Sequence, residues 1–162
     1  MTSYIYPDPV WVDDSVPFYN EDFEKKLRKL SGVFGYEILA EPEWGIDSDL
    51  YILMEIDEGK LIEFKHCSKE VAYDRSKFVL GATPQAWKRI LTKKDKFVGA
   101  FMGGRVKLKK GNTVGALALG PHAGNLVDVL TQVDLKFPDD LSPEELEAFK
   151  KDLAAKRSER GI

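Results

Sequence analysis

Apolar and polar residues alternate most cleanly between Asp49 and Ile56. Leu50, Ile52, Met54 and Ile56 fall on one side, with Tyr51, Leu53 and Glu55 on the other. That period of two predicts a strand, and Asp57-Glu58-Gly59 a hairpin turn into another strand over Lys60 to His66. A strand from Phe34 to Glu41, stopped by Pro42, precedes this pair, and Phe78 to Ala82 gives a fourth. The fifth spans Arg105 to Lys109, with Val106 and Leu108 inward and Arg105, Lys107 and Lys109 outward.

Elsewhere the spacing is helical. Phe23, Leu27 and Leu30 follow the cap residue Asn20, and Ser31-Gly32 ends that helix. Thr83 followed by Pro84 marks the start of a helix carrying Ala86, Trp87, Ile90 and Leu91. Lys96 to Met102 forms a short helix with Phe97, Ala100 and Phe101, broken by Gly103-Gly104. From His122 onward, Leu126, Val129, Leu130 and Val133 share one helical face. Ser142-Pro143-Glu144-Glu145 is a capping box opening a C-terminal helix with Leu146, Phe149 and Leu153. Residues 1–19, with Pro7, Pro9 and Pro17 among aromatics, read as an extended arm packed on the body or a partner. The sum is one α+β domain over 1–162: a five-stranded, mostly antiparallel sheet with helices covering one face, and a helical extension over 134–162.

Composition adds little beyond a globular chain, 43% hydrophobic and 31% charged. Charge distribution adds more. Residues 1–60 carry 14 acidic and 5 basic side chains, residues 61–111 carry 4 and 13, and residues 112–162 carry 9 and 6. A basic middle between acidic ends predicts mutual neutralisation in the fold. The single cysteine, Cys67, leaves no internal disulfide and fits a reducing cytosol, so a cytoplasmic location is expected. No apolar run reaches the ~18 residues of a bilayer span. Met1-Thr2-Ser3-Tyr4 does not read as a signal peptide nor Arg160-Gly161-Ile162 as a peroxisomal address, so neither kind of targeting is expected.

The polar residues offer no catalytic constellation. His66 and Cys67 are adjacent, so on a strand they point to opposite faces and neither activates the other. Two histidines and one cysteine are too few for a zinc site. Asp47-Ser48-Asp49 lacks the glycine and glutamate of a calcium loop. The glycines at 111, 115, 120 and 124 match no phosphate-binding motif. No enzyme activity, cofactor or metal is expected.

The run from Phe78 to Asn112 is the most specific part of the chain. Phe78-Val79-Leu80, Trp87, Ala100-Phe101, Gly104-Arg105-Val106-Lys107 and Gly111-Asn112 resemble the sterol carrier protein type 2 domain, over about residues 32–133. One extra residue between Gly104 and Gly111, relative to that pattern, suggests a bulge. The resemblance implies non-catalytic binding and transfer of a fatty acid, fatty acyl-CoA, sterol or isoprenoid-like lipid in an apolar tunnel between sheet and helices. Candidate lining residues are Ile52, Met54, Trp87, Ile90, Phe97, Phe101, Met102, Leu117, Leu119, Leu126 and Leu130, with Arg105 and Lys107 for an anionic headgroup. Membrane contact would be transient at most. Two alternatives go with this reading. The aromatic arm could dock on a second copy or an acyl-processing enzyme, making the chain an accessory subunit. The cations Lys93, Lys94, Lys96, Arg105, Lys107 and Lys109 could meet nucleic acid, a partner the preferred reading leaves out.

Overall fold

The computed structural model describes residues 3–162. Its central sheet joins β2 (Gly32–Ile38), β3 (Leu50–Asp57), β4 (Lys60–Cys67), β5 (Phe78–Ala82) and β6 (Lys107–Lys110) in the order β4-β3-β2-β5-β6. Only β2 and β5 run parallel, with Phe34 opposite Phe78 and Ile38 opposite Ala82; the other three pairings are antiparallel. The expected five-stranded, mostly antiparallel sheet is what forms, made mixed by that one parallel pair. Its first strand ends at Ile38 rather than Glu41. The last begins at Lys107, so Arg105 precedes the sheet.

The β3–β4 hairpin closes through Glu58 and Gly59, both at positive φ (46° and 84°), between the paired residues Asp57 and Lys60. Two such residues give the turn the twist a hairpin needs. A side chain at 59 would also meet the Glu24 carbonyl at 2.3 Å, so the turn lies hard against helix α2 (Glu21–Lys26). That helix is capped by Asn20 as expected but ends at Lys26, five residues before Ser31. Leu27 and Leu30 are buried beyond its end.

Alternation along β3 sorts the interior into two clusters. Leu50, Ile52, Met54 and Ile56 join the main core, with Phe34 and Ile38 from β2. Over them lie α4 (Pro84–Leu91), α5 (Phe97–Met102), α6 (Thr113–Leu117) and α7 (Gly120–Leu130). Tyr51, Leu53 and Cys67 face the other way and meet Ala72 of α3 (Lys69–Arg75). The helices therefore do not all lie on one face: α3, capped by the Ser68 hydroxyl, covers part of the second. Its seven residues bury only Ala72 fully, too brief a stripe to register as a helical period.

The N-terminal arm is also not extended. Asp8 caps α1 (Pro9–Ser15), its carboxylate accepting from the Val10 amide at 2.9 Å, with Pro9 in the first turn. Tyr6 and Trp11 are each 2% exposed, so the arm's main aromatics belong to this chain's own core. Residues 1–2 of the expected arm lie outside the described residues. A parallel two-stranded ribbon that no local pattern in the sequence marks pairs β1 (Ser3–Ile5) with β7 (Asp134–Lys136). The C-terminal helix α8 (Pro143–Arg160) carries the expected capping box, and its Phe149 and Leu153 are buried. Lys156 pairs with Asp8 and Arg160 with Asp13, fastening α8 to α1. Cations of the basic middle likewise meet acidic ends: Lys88 with Asp139 and Asp140, Arg75 with Glu55, Lys109 with Glu37 and Lys93 with Asp128.

Candidate functional site

An apolar void of ≈ 90 Å³ lies between the main sheet face and the helices. Tyr36, Ile38, Ile52, Met54 and Phe64 form its sheet side. Trp87, Ile90, Leu91, Phe97, Leu119, Ala123, Leu126, Val127 and Leu130 form its helix side, and Tyr6 and Trp11 close it from the N-terminal segment. Both tryptophans are fixed by their indole N–H groups. Trp11 donates to the Leu130 carbonyl at 3.0 Å and Trp87 to the Glu37 carbonyl at 2.9 Å. Trp87 also meets Tyr36 edge-on, with ring centres 6.0 Å apart. Each indole thus satisfies its polar edge on the backbone and leaves carbon for the void.

A second, wider groove of ≈ 390 Å³ adjoins it, floored by Ile90, Phe97, Ala123 and Val127, the four residues common to both. Val98, Gly120 and Gly124 extend this floor, and Lys93, Asp95, Lys96 and Asp128 stand at its edge. Lys93 reaches Asp128 of α7 at 2.8 Å. Gly120 lets α5 and α7 come together, since a side chain there would meet Val98 Cγ2 at 2.8 Å. An apolar cavity of about 150 Å³ holds benzene, and drug-sized ligands occupy pockets of about 300–1,000 Å³. The inner void alone therefore takes only a short stretch of hydrocarbon, while the groove falls in the ligand range.

Eight of the eleven anticipated residues meet at the void: Ile52, Met54, Trp87, Ile90, Phe97, Leu119, Leu126 and Leu130. Phe101 sits behind the wall, packed edge-on against Phe97 at 5.8 Å. Met102 is 69% exposed, because five steps of about 100° along α5 carry it well away from the face of Phe97. Leu117, at the end of α6, is half-buried and borders neither space. Arg105 and Lys107 border neither space either. Arg105 is turned to Asp95 at 3.4 Å, a carboxylate that Arg89 already holds at 2.9 Å and keeps below the usual range. The basic residues at the groove are instead Lys93 and Lys96.

The other eight lining residues, Tyr6, Trp11, Tyr36, Ile38, Phe64, Leu91, Ala123 and Val127, were not anticipated. Tyr36 was within reach, because antiparallel register sets it opposite Ile52. Phe64 was not. Continuing the turn's register inward from Asp57–Lys60 would pair Met54 with Glu63, but a bulge at Ile62 shifts the pairing to Met54–Phe64. Ile62 is consequently 57% exposed.

The adjacent His66 and Cys67 are not placed to activate each other. His66 pairs with Ile52 and Cys67 with Tyr51, so the two side chains point to opposite faces. Burial pushes the Cys67 thiol up to about 11, which suppresses thiolate. Burial holds His66 down to about 3, opposed by the neighbouring Pro7 carbonyl and aided by the charges of Arg160 and Arg157. That carbonyl closes no well-formed hydrogen bond, and both ring nitrogens are buried without a partner. Among the described residues no group of three or more His, Cys, Asp or Glu side chains is placed to hold a metal, and no helix is long and apolar enough to cross a membrane.

No family model matches the chain, and no curated protein matches it by comparison. Solved structures do. A crystal structure of sterol carrier protein 2 superposes with a TM-score of 0.65 at 22% identity, covering 77% of this chain and 96% of that one. A conserved hypothetical protein of Thermus thermophilus gives 0.66 at 24% identity, over 78% and 88% of the two chains. Sterol carrier protein-2 like-3 from Aedes aegypti gives 0.51 at 12% identity, over 72% and 95%. With its β4-β3-β2-β5-β6 sheet and a void beneath α4, α5 and α7, this chain has the sterol carrier protein 2 fold.

Proposed function

We propose that this protein binds and carries a lipid, without catalysis, in the space between its sheet and helices. The observation that carries the proposal is the inner wall, where sixteen side chains from the sheet, the helices and the N-terminal segment line a void with no charged residue among them. Each methylene buried there contributes about 0.8 kcal/mol, so hydrocarbon binds without specific polar contacts. In the proposed pose a short segment fills the inner void and the remainder crosses into the groove at Ile90, Phe97, Ala123 and Val127, the residues lining both. The head of a fatty acid, fatty acyl-CoA, sterol or isoprenoid-like lipid then lies beside Lys93 and Lys96, in place of Arg105 and Lys107.

The test is displacement of a fluorescent long-chain fatty acid from purified protein, beside the variant Ala123→Phe, which places a ring in the wall shared by void and groove. Wild type should bind the probe and release it to unlabelled lipid. The variant should bind at least about tenfold more weakly while unfolding within a few degrees of wild type. Absence of probe binding to wild type, or unchanged binding by the variant, contradicts the proposal.

A further inference from the structure

Six large apolar side chains are exposed among the described residues, and three of them, Val98, Met102 and Val114, lie on α5 and α6. Val98 and Met102 are four positions apart, so they stand on one face of α5. Val98 also meets the start of α7 at Gly120, the glycine into which α6 runs through Ala118 and Leu119. Charge sets this region apart from the rest of the surface. Between Arg75 and Val127 the chain holds eleven basic side chains and one acidic, Asp95. Asp95 is held by Arg89 and Arg105, and Asp128, the other carboxylate at the groove, by Lys93. Lys77, Lys94, Lys96 and Lys107 are exposed and make no ion pair among the described residues. Two cations flank the apolar residues directly. The Lys77 Cε lies 3.9 Å from where a side chain at Gly115 would begin, beside Val114, and the Arg105 guanidinium lies 3.5 Å from the same point at Gly103, beside Met102.

We infer that the surface made by α5 and α6 docks on an anionic membrane, with Val98, Met102 and Val114 entering the interface and Lys77, Lys94, Lys96 and Lys107 meeting lipid phosphates. Exposed apolar residues scattered singly need no explanation. These are grouped, surrounded by unpaired cations, and one of them, Val98, also floors the ligand-sized groove. Such a composition suits the surface of a bilayer: carbon enters the headgroup boundary, and each cation adds attraction to anionic lipid. Nucleic acid would engage the cations through its phosphates but leave Met102 and Val114 without a role, so it accounts for half of the observation. Because Val98 belongs to both places, docking sets the groove against the bilayer. The inference adds to the carrier reading the surface at which lipid is exchanged, and it rests on that reading only for its purpose.

The experiment is flotation of the full chain with vesicles of phosphatidylcholine, alone or with about one-third phosphatidylglycerol, at low salt and at about 0.5 M. The net charge of −3 opposes general adhesion to an anionic vesicle, so flotation requires a localised cationic surface. Wild type should float with the anionic vesicles at low salt, and partition at least about tenfold less when salt is raised or phosphatidylglycerol omitted. Two double variants separate the contributions: Lys77→Glu with Lys94→Glu, and Met102→Asp with Val114→Asp. None of these four residues borders the void or the groove, so both variants should displace fluorescent fatty acid within about twofold of wild type. Partitioning should fall at least about tenfold in each. Ile62→Asp, at an exposed apolar residue of β4, should float within about twofold of wild type. Wild type that stays free of anionic vesicles overturns the inference and leaves the carrier reading standing. So does a Met102→Asp, Val114→Asp protein that floats as wild type does, or capture of a DNA duplex in place of vesicles. Flotation without any fatty-acid displacement removes the carrier reading and leaves the docking surface. Wild-type flotation and its salt dependence decide the matter should either variant fail to fold.

Discussion

At the scale of single residues, His66 makes the sharpest prediction. Its unfolded pKa is near 6.5 and its folded value about 3, so below pH 6.5 the unfolded chain binds a proton that the folded chain refuses. Stability contributed by neutral His66 is complete above about pH 6.5 and is lost as pH falls toward the folded value, by up to about 1.4 kcal/mol per pH unit. Urea unfolding between pH 7 and 4 should show His66→Leu losing less stability than wild type. Parallel pH profiles for the two proteins would contradict this. Cys67, buried with its thiol raised, should react with a thiol reagent far more slowly than an exposed cysteine under native conditions and at full rate in denaturant. Single residues were also where the sequence was easiest to read. The opposite facing of His66 and Cys67 follows from strand geometry alone, as does the two-sided sorting of Tyr51 and Ile52. The position of Met102 was harder, because a six-residue helix gives too few turns to fix which face is buried.

At the scale of elements, caps and turns were legible because their chemistry is local. Thr83-Pro84, Ser142 to Glu145 and Asp57 to Lys60 all form what their residues dictate. Asp8-Pro9 obeys the same rule as Thr83-Pro84, and three prolines in a short span obscured it. The predicted extra residue before Gly111 appears as a register shift in the β5–β6 pairing, with Lys109 between the partners of Leu80 and Val79. The bulge at Ile62 left no such trace, since nothing in Leu61-Ile62-Glu63 marks it. Asp8 serves two elements at once, capping α1 and holding Lys156 of α8 at 2.8 Å. Asp8→Ala should therefore cost about 1–2 kcal/mol, a cap plus a partly buried ion pair. A double-mutant cycle with Lys156→Met should show coupling of about 0.5 kcal/mol or more. Zero coupling would mean that the α1–α8 pair contributes nothing. Gly59→Ala is more damaging, because φ is 84° and the added carbon meets the Glu24 carbonyl and the Arg28 backbone. A loss of about 2 kcal/mol or more in urea unfolding is expected, against under about 0.5 for an exposed control substitution.

At the scale of the whole molecule, the fold was legible from strand order and from the run between Phe78 and Asn112. The cavity was legible only in part. Its helix side follows from helical spacing within α4 and α7, so Trp87, Ile90, Leu126 and Leu130 were found. Its N-terminal closure depends on a long-range contact, the Trp11 indole on the Leu130 carbonyl, which no local pattern encodes. The central claim is that hydrocarbon enters between the main sheet face and α4, α5 and α7. The most direct measurement is methyl NMR of the protein titrated with a long-chain fatty acid. Ile52, Met54, Ile90, Leu126 and Leu130 should shift together and saturate, while Leu53, Val71 and Ala72 on the opposite face stay in place. Shifts confined to exposed methyls such as Ile62 and Val114, or spread evenly over both faces, would contradict the account.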